Sequence, residues 1–306
     1  MTAALLCLAA PSGEVRAEGG SDADKALRFP GHLGLTGFMD MVDARTPGVL
    51  HIRTGIRYRA TLRDRNFEAA TGSLSKQEQE HTLDAYLGVS FLGLVDAAIR
   101  LPYIISRKEK NNRKGLADVA DLEDDGFANV DLAGKISLTI GPFDVAPFLY
   151  GRLPSGERDI RDFAELNYGG AATFSTLNGY LSLHANVAGV QFEGGTAGVR
   201  YRVGLAFVLW ASDSYLLRVF AYGDGIEYEG SGDSDIDAEF GVQGILFGLL
   251  TVELGVSVRL IDGGHVDDTI KREIRALNAS SAGSSLSKHF EDDGSWALTV
   301  GIGTMF

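Results

Sequence analysis

From Val49 to the C-terminal Phe306, apolar and polar residues alternate with a period of two, segment after segment, and this rhythm constrains the fold more than any other feature. Successive side chains of an extended strand point to opposite faces, so such alternation marks a strand with one apolar and one polar side. Twelve segments read this way: Val49–Leu62, His81–Phe91, Leu94–Ser106, Phe127–Ile140, Phe143–Leu153, Asn167–Leu177, Tyr180–Phe192, Thr196–Trp210, Ser214–Tyr228, Ile236–Phe247, Leu250–Ile261 and Gly294–Phe306. In the first, Leu50, Ile52, Ile56, Tyr58 and Leu62 share one face, and Arg53, Arg57 and Arg59 share the other.

Alternation alone also suits a soluble sandwich. Strand length argues otherwise, because most of these segments run about 11–15 residues where soluble strands cluster near 5–6, and a tilted membrane strand needs about 9–11. The connections alternate short (92–93, 141–142, 178–179, 211–213, 248–249) and longer (63–80, 107–126, 154–166, 229–235, 262–293), with 193–195 short to medium, as in a barrel with tight turns at one end. Asn178-Gly179 is the strongest hairpin signal. The polar faces carry mixed charge that a soluble exterior with so uniform an apolar interior does not explain. An inverted barrel does, with lipid outside and a wet, salt-bridged lumen. The expected fold is therefore all-β: a transmembrane antiparallel up-and-down barrel of about twelve strands over 49–306.

The net charge of −13 excludes the basic face of a nucleic-acid binder. The chain has 39 Gly and 7 Pro, which suits strands and turns better than helices. After the N-terminus there is no apolar run long enough for a spanning helix. Residues 1–17 read as a signal peptide, with an apolar core at Ala3–Ala10 and a loose cleavage pattern at Val15-Arg16-Ala17 but no basic start. The single cysteine, Cys7, falls inside it. Residues 18–48, polar and Gly-rich, read as a periplasmic N-terminal segment, and the barrel is expected in a Gram-negative outer membrane with both termini periplasmic.

Trp296, Leu298, Val300, Ile302, Thr304 and Phe306 alternate up to a terminal Phe. This resembles the C-terminal signature of bacterial outer-membrane proteins, which implies recognition by the barrel-assembly machinery. Gly93-Leu94-Val95-Asp96, Arg100-Leu101-Pro102-Tyr103 and Leu153-Pro154-Ser155-Gly156, within residues 85–160, are similar to outer-membrane transporter barrels, including the phenol-degradation-type transporters and the barrel portions of OmpA-like proteins. Ser155 stands where that pattern usually has Thr. The resemblance implies a fold and a location but no substrate.

The lumen carries the candidate site: Arg53, Arg57, Arg59, Arg100, Lys135, Arg200, Arg202 and Arg259 with Asp84, Asp96, Asp131, Glu239 and Glu253. With Arg152, Arg218, Asp144 and Asp237 the count is ten basic against seven acidic. On closure the first strand pairs with the twelfth, whose inward Ser295, Ala297, Thr299, Gly301 and Gly303 leave room beside the arginines. One reading is a cationic constriction for anions; the other is a structural ladder of paired charges. Ser182, His184 and Asn186 share the polar face, where a lipid-cleaving site has no access to lipid, so no enzyme is expected. His51, His81, His265 and His289 lack metal-ligand spacing, and no cofactor or metal is expected. Asp118, Asp121, Glu123, Asp124 and Asp125, and again Asp233, Asp235 and Asp237, read as acidic loops. These, and the basic run 107–114, are possible contacts to lipopolysaccharide. Residues 267–277 have helical spacing and suit a plug or a surface helix. The expected function is a passive channel for small polar or anionic solutes. The alternative is a closed structural or surface-interaction barrel.

Overall fold

The computed structural model describes residues 35, 37–38, 41–48, 50–69, 72–114, 122–157, 164–176, 180–192, 197–212, 214–229, 234–261, 289–292 and 295–306. All regular structure among them is β. Two short strands come first, β1 (Gly37–Phe38) and β2 (Met41–Val42). The wall follows: β3 (Leu50–Ala69), β4 (Gly72–Phe91), β5 (Val95–Lys114), β6 (Leu122–Phe127), β7 (Asp131–Ile136), β8 (Leu138–Ile140), β9 (Phe143–Arg152), β10 (Glu165–Thr176), β11 (Leu181–Phe192), β12 (Ala197–Ala211), β13 (Leu216–Tyr228), β14 (Ser234–Leu246), β15 (Leu250–Ile261), β16 (His289–Asp292) and β17 (Trp296–Met305).

Each stretch of wall pairs antiparallel with its neighbours in sequence, and β17 returns to β3 in a register running from Trp296↔Leu62 to Met305↔Arg53. With β6–β8 as one interrupted strand and β16–β17 as another, twelve strands close into a barrel. Closure leaves no edge along the barrel, which is what a sheet in hydrocarbon requires. The outer face presents Leu132, Leu149, Val187, Val203, Leu205 and Val300. The inner face holds the buried charge. Trp296, Val300, Ile302 and Phe306 point outward, as their alternation predicts.

The first three strands run further than alternation indicates. Each is 20 residues long. Most of the connection read at 63–80 is a β3–β4 ladder that continues to Ala69↔Gly72. In these extensions polar residues stand on both faces, so the pairing persists while the alternation that reveals it is lost. A bulge between His81 and Thr82, opposite Ile104 and Ser106, marks that change on β4–β5. The fourth strand is broken at 128–130. Residues 153–157 fold back to fill the break. Leu153 N donates to Val130 O at 2.8 Å, Val130 N to Ser155 Oγ at 2.9 Å, and Gly156 N to Asn129 Oδ1 at 2.9 Å. The hydroxyl of Ser155 therefore does what a threonine would. The turn expected at Gly248-Leu249 is Phe247-Gly248, both at positive φ, as at Leu92-Gly93. Residues 1–17, Asn178-Gly179 and 267–277 lie outside the described residues.

The closing seam is strapped from inside. Tyr86 of β4 lies over Gly55 of β3 and Gly303 of β17, and a Cβ on Gly303 would meet the Tyr86 hydroxyl, Thr54 O at 2.8 Å and Thr251 Oγ1 at 2.9 Å. A Cβ on Gly301 would sit 3.5 Å from Glu253 Cβ, an ordinary contact. Gly303→Val is expected to destabilise the barrel by about 1–3 kcal/mol through overpacking, while Gly301→Ala is tolerated. Urea midpoints of the two variants in lipid vesicles check this, and equal midpoints would refute the strap.

Candidate functional site in the barrel lumen

The described part of the segment read as periplasmic, residues 35, 37–38 and 41–48, lies inside the barrel. Leu35, Met41, Val42, Asp43 and Ala44 are all at most 2% exposed. Their partners come from strands around the ring, which only a segment within the bore can touch at once. β1 and β2 form a small hairpin with Gly37↔Val42 and Phe38↔Met41 in register. The chain leaves it toward the short-turn end, where Gly93 N donates to Gly48 O at 2.6 Å.

The wall holds this hairpin mainly by its backbone. Asn186 of β11 accepts from Val42 N and donates to Val42 O, both at 2.9 Å. Thr173 of β10 accepts from Ala44 N at 3.0 Å. Lys135 of β7 donates to Asp43 O and, at 2.6 Å, to Arg45 O. Arg218 of β13 donates to Gly37 O at 2.9 Å. Thr46 and Ser137 share a hydroxyl contact. Leu35, Val42 and Ala44 pack on Ala98, Ala146, Phe148, Ala171 and Ala188. Met41 packs on Ala206, Phe220 and Tyr222. Burial alone would push the Asp43 carboxyl up, but the neighbouring Arg45 guanidinium, with Lys135 adding, holds it well below the usual carboxylate range. The hairpin therefore carries Asp43 paired with Arg45 at 2.7 Å.

Around the hairpin the wall charges form ladders of alternating sign. One runs Asp84–Arg100–Asp131–Arg152–Glu165–Arg200–Asp224–Arg202, with Asp84–Arg100 at 3.4 Å, Asp131–Arg152 at 3.1 Å, Arg200–Glu165 at 3.2 Å and Arg202–Asp224 at 3.0 Å. Looser approaches complete it, Arg152–Glu165 at 3.9 Å and Arg200–Asp224 at 3.8 Å. A second joins Arg218, Gln243, Glu253 and Arg57; Arg57 reaches Glu253 at 3.3 Å across Gly301. A third joins Arg53, Asp96 and Lys135. Arg259 holds Asp237 at 2.5 Å and Asp235 at 3.4 Å. Glu239 accepts from the Tyr222 hydroxyl. Arg59 lies half-buried on the same inner face.

The wall charges named from the sequence lie on the inner face beside three acids of the ladders that its tally omits: Glu165, Asp224 and Asp235. They bring acid level with base and remove the cationic excess. Small residues beside Arg57 do leave room, yet the arginine uses it to reach Glu253 rather than to cross an open bore. Asp235, read as a loop acid, and Asp237, read both as a loop acid and as a lumen acid, sit on the inner face of β14 against Arg259. Asp43 and Arg45 are not anticipated; the pair's spacing of two, placing both on one side of an extended segment, is the one available signal.

Ser182 and His184 do meet, with Ser182 Oγ 2.8 Å from His184 Nε2. Thr173 donates to Asp43 Oδ1 at 3.2 Å and already accepts from Ala44 N, so its remaining lone pair accepts from His184 Nδ1 at 3.1 Å. That fixes the tautomer and leaves Nε2 to accept from Ser182. The group faces the lumen, is covered by the hairpin and docks Asp43; lipid has no access to it.

No protein-family model matches the chain, and no curated protein matches it in sequence. Among solved structures, the COG4313 outer membrane channel from Pseudomonas putida F1 is similar with a TM-score of 0.58 at 9% identity, over 88% of this chain and 100% of that one. The translocator domain of the autotransporter NalP from Neisseria meningitidis matches at TM-score 0.43 and 13% identity, over 85% and 90%. The β domain of the Bordetella autotransporter BrkA matches at TM-score 0.40 and 9% identity, over 82% and 98%. The first of these likenesses carries the fold, that of an outer-membrane barrel.

Proposed function

We propose that this protein is an outer-membrane channel that passes small polar solutes when its N-terminal hairpin withdraws. The observation that carries the reading is the hairpin itself, a separate piece of chain seated in a closed, polar-lined bore and held by side chains rather than built into the wall. Balanced ladders give no reason to favour anions, so the reading is of polar solutes with weak ion selectivity. The short-turn end faces the periplasm, where β17 presents its apolar row to the assembly machinery. The long β3–β5 end stands among the lipopolysaccharide. Loop cations and acids there contribute contacts to it, and neither nucleic acid nor an enzymatic substrate enters the reading.

The hydroxyls of Thr46 and Ser137 are in contact, so cysteines at both positions can form a disulfide. In a Cys7→Ser background, Thr46→Cys with Ser137→Cys is expected to give intermittent steps to a larger current in a planar bilayer when reduced and only the small steady current of the docked state when oxidised, with a cation-to-anion permeability ratio near unity. Current that is indifferent to the disulfide would refute gating by the hairpin. Silence in both states from folded, inserted protein would favour the closed structural barrel.

A further inference from the structure

The geometry points to a recognition site for short peptides in extended conformation, formed by the wall groups that now hold residues 37–38 and 41–45. It deepens the channel reading above and rests on it, in that the site becomes available when the hairpin withdraws. The hairpin stands in the site as a peptide of this chain's own sequence.

What the wall reads is main chain. Asn186 engages both backbone groups of one residue, accepting from Val42 N and donating to Val42 O at 2.9 Å each. This is the pairing a neighbouring strand would make, supplied by a side-chain amide, and it takes no account of the side chain at that position. Two residues further, Thr173 accepts from Ala44 N at 3.0 Å. Lys135 gathers two carbonyls that are also two residues apart, those of Asp43 and Arg45. Period two is the repeat of an extended chain, so donors and acceptors on three strands are spaced for a peptide. A sugar or a simple carboxylate does not match that spacing.

These groups are also desolvated. Lys135, Thr173, Asn186 and Arg218 are all at most 3% exposed while the hairpin is docked. A peptide that enters in place of the hairpin buries them again, and its backbone offers partners in the same places. The flanking surfaces set the side-chain preference. Val42 and Ala44 face the alanine-lined wall of Ala98, Ala146 and Ala171, closed by Phe148. Met41 faces Ala206, Phe220 and Tyr222. Small and medium apolar side chains fit both. The hairpin withdraws without threading, because β1 and β2 are antiparallel and the chain after β2 runs to the short turns, where Gly48 meets Gly93.

The test uses the full chain with Val42→Pro, which removes the N–H that Asn186 holds and leaves residues 50–306 unchanged. Binding of a fluorescein-labelled decapeptide copying residues 37–46 is followed by anisotropy in detergent, and its effect on current in a planar bilayer. The expected result is binding that weakens by about tenfold when the Val42 nitrogen of the peptide is methylated, the loss of a single buried hydrogen bond with its partner left unsatisfied. Asn186→Leu in the same background weakens it equally, and unlabelled tetra-alanine competes. Binding that ignores the methyl group, or no binding at all by a variant that conducts, would overturn the peptide site and leave the channel reading standing. A folded variant that binds with methyl discrimination yet never conducts would do the reverse.

Discussion

Deletion of residues 35–48 is expected to raise the single-channel conductance of the refolded barrel by roughly threefold, the largest functional effect available from a change outside the wall. Twelve strands close this barrel. At a spacing of about 4.8 Å and a tilt of about 40° they give a ring of roughly 12 Å backbone radius. Inward side chains of about 5 Å then leave a bore roughly 14 Å across, and two extended strands with their side chains fill about two-thirds of its area. Removing them exposes Asn186, Thr173, Lys135 and Arg218 to water, which replaces their lost bonds, so the wall remains intact. Planar-bilayer recording checks the result. An unchanged conductance, from protein shown to be folded by its heat-dependent gel mobility, would mean that the ladders alone close the lumen.

Replacing Asp131 with Ala is expected to cost about 3–5 kcal/mol, the largest stability loss from a single wall substitution. Asp131 accepts from Arg100 Nε at 2.6 Å, Arg152 Nε at 3.1 Å and the Tyr150 hydroxyl at 3.0 Å. It is 2% exposed. Without it Arg100 keeps Asp84, at 3.4 Å, as a carboxylate neighbour, and both arginines lose their close partner away from bulk water. Truncating one member of a buried pair leaves the other charge unsatisfied, and that penalty dominates. Asp131→Asn, which keeps the acceptor oxygen, is expected to lose about half as much. Urea midpoints in vesicles measure both. A loss below about 1 kcal/mol for Asp131→Ala, the value of an exposed pair, would show that the lumen around the ladder is wetter than its burial indicates. Because Arg152 and Glu165 continue the same ladder, Asp131→Ala combined with Arg152→Ala should cost less than the sum of the two.

Much of this molecule is legible in its sequence because the determining signal is local. A strand's two faces are set by residues i and i+2, so alternation places Leu132 and Val300 outside and Arg100 and Lys135 inside without knowledge of any partner. Consecutive antiparallel pairing follows from short turns such as Leu92-Gly93. Closure follows from the absence of any place for an edge in lipid. The same logic explains where the reading stops. Past Leu62 and Ser106 the residues are polar on both faces, the period disappears, and the extensions of β3, β4 and β5 are invisible although their ladders continue.

The state of the lumen was decided by the tertiary structure alone. Alternation says that a side chain points inward; it does not say what it meets there. Val42 and Asn186, which bond to each other twice, are 144 residues apart. Met41-Val42-Asp43-Ala44 carries the same residue types whether it lies in the periplasm or within the bore. Likewise Arg57 and Glu253 come together only because the ring closes and Gly301 between them has no side chain. A period of two is a property of neighbours along the chain. Whether charges cancel around a ring, and what fills it, is a property of the closed ring.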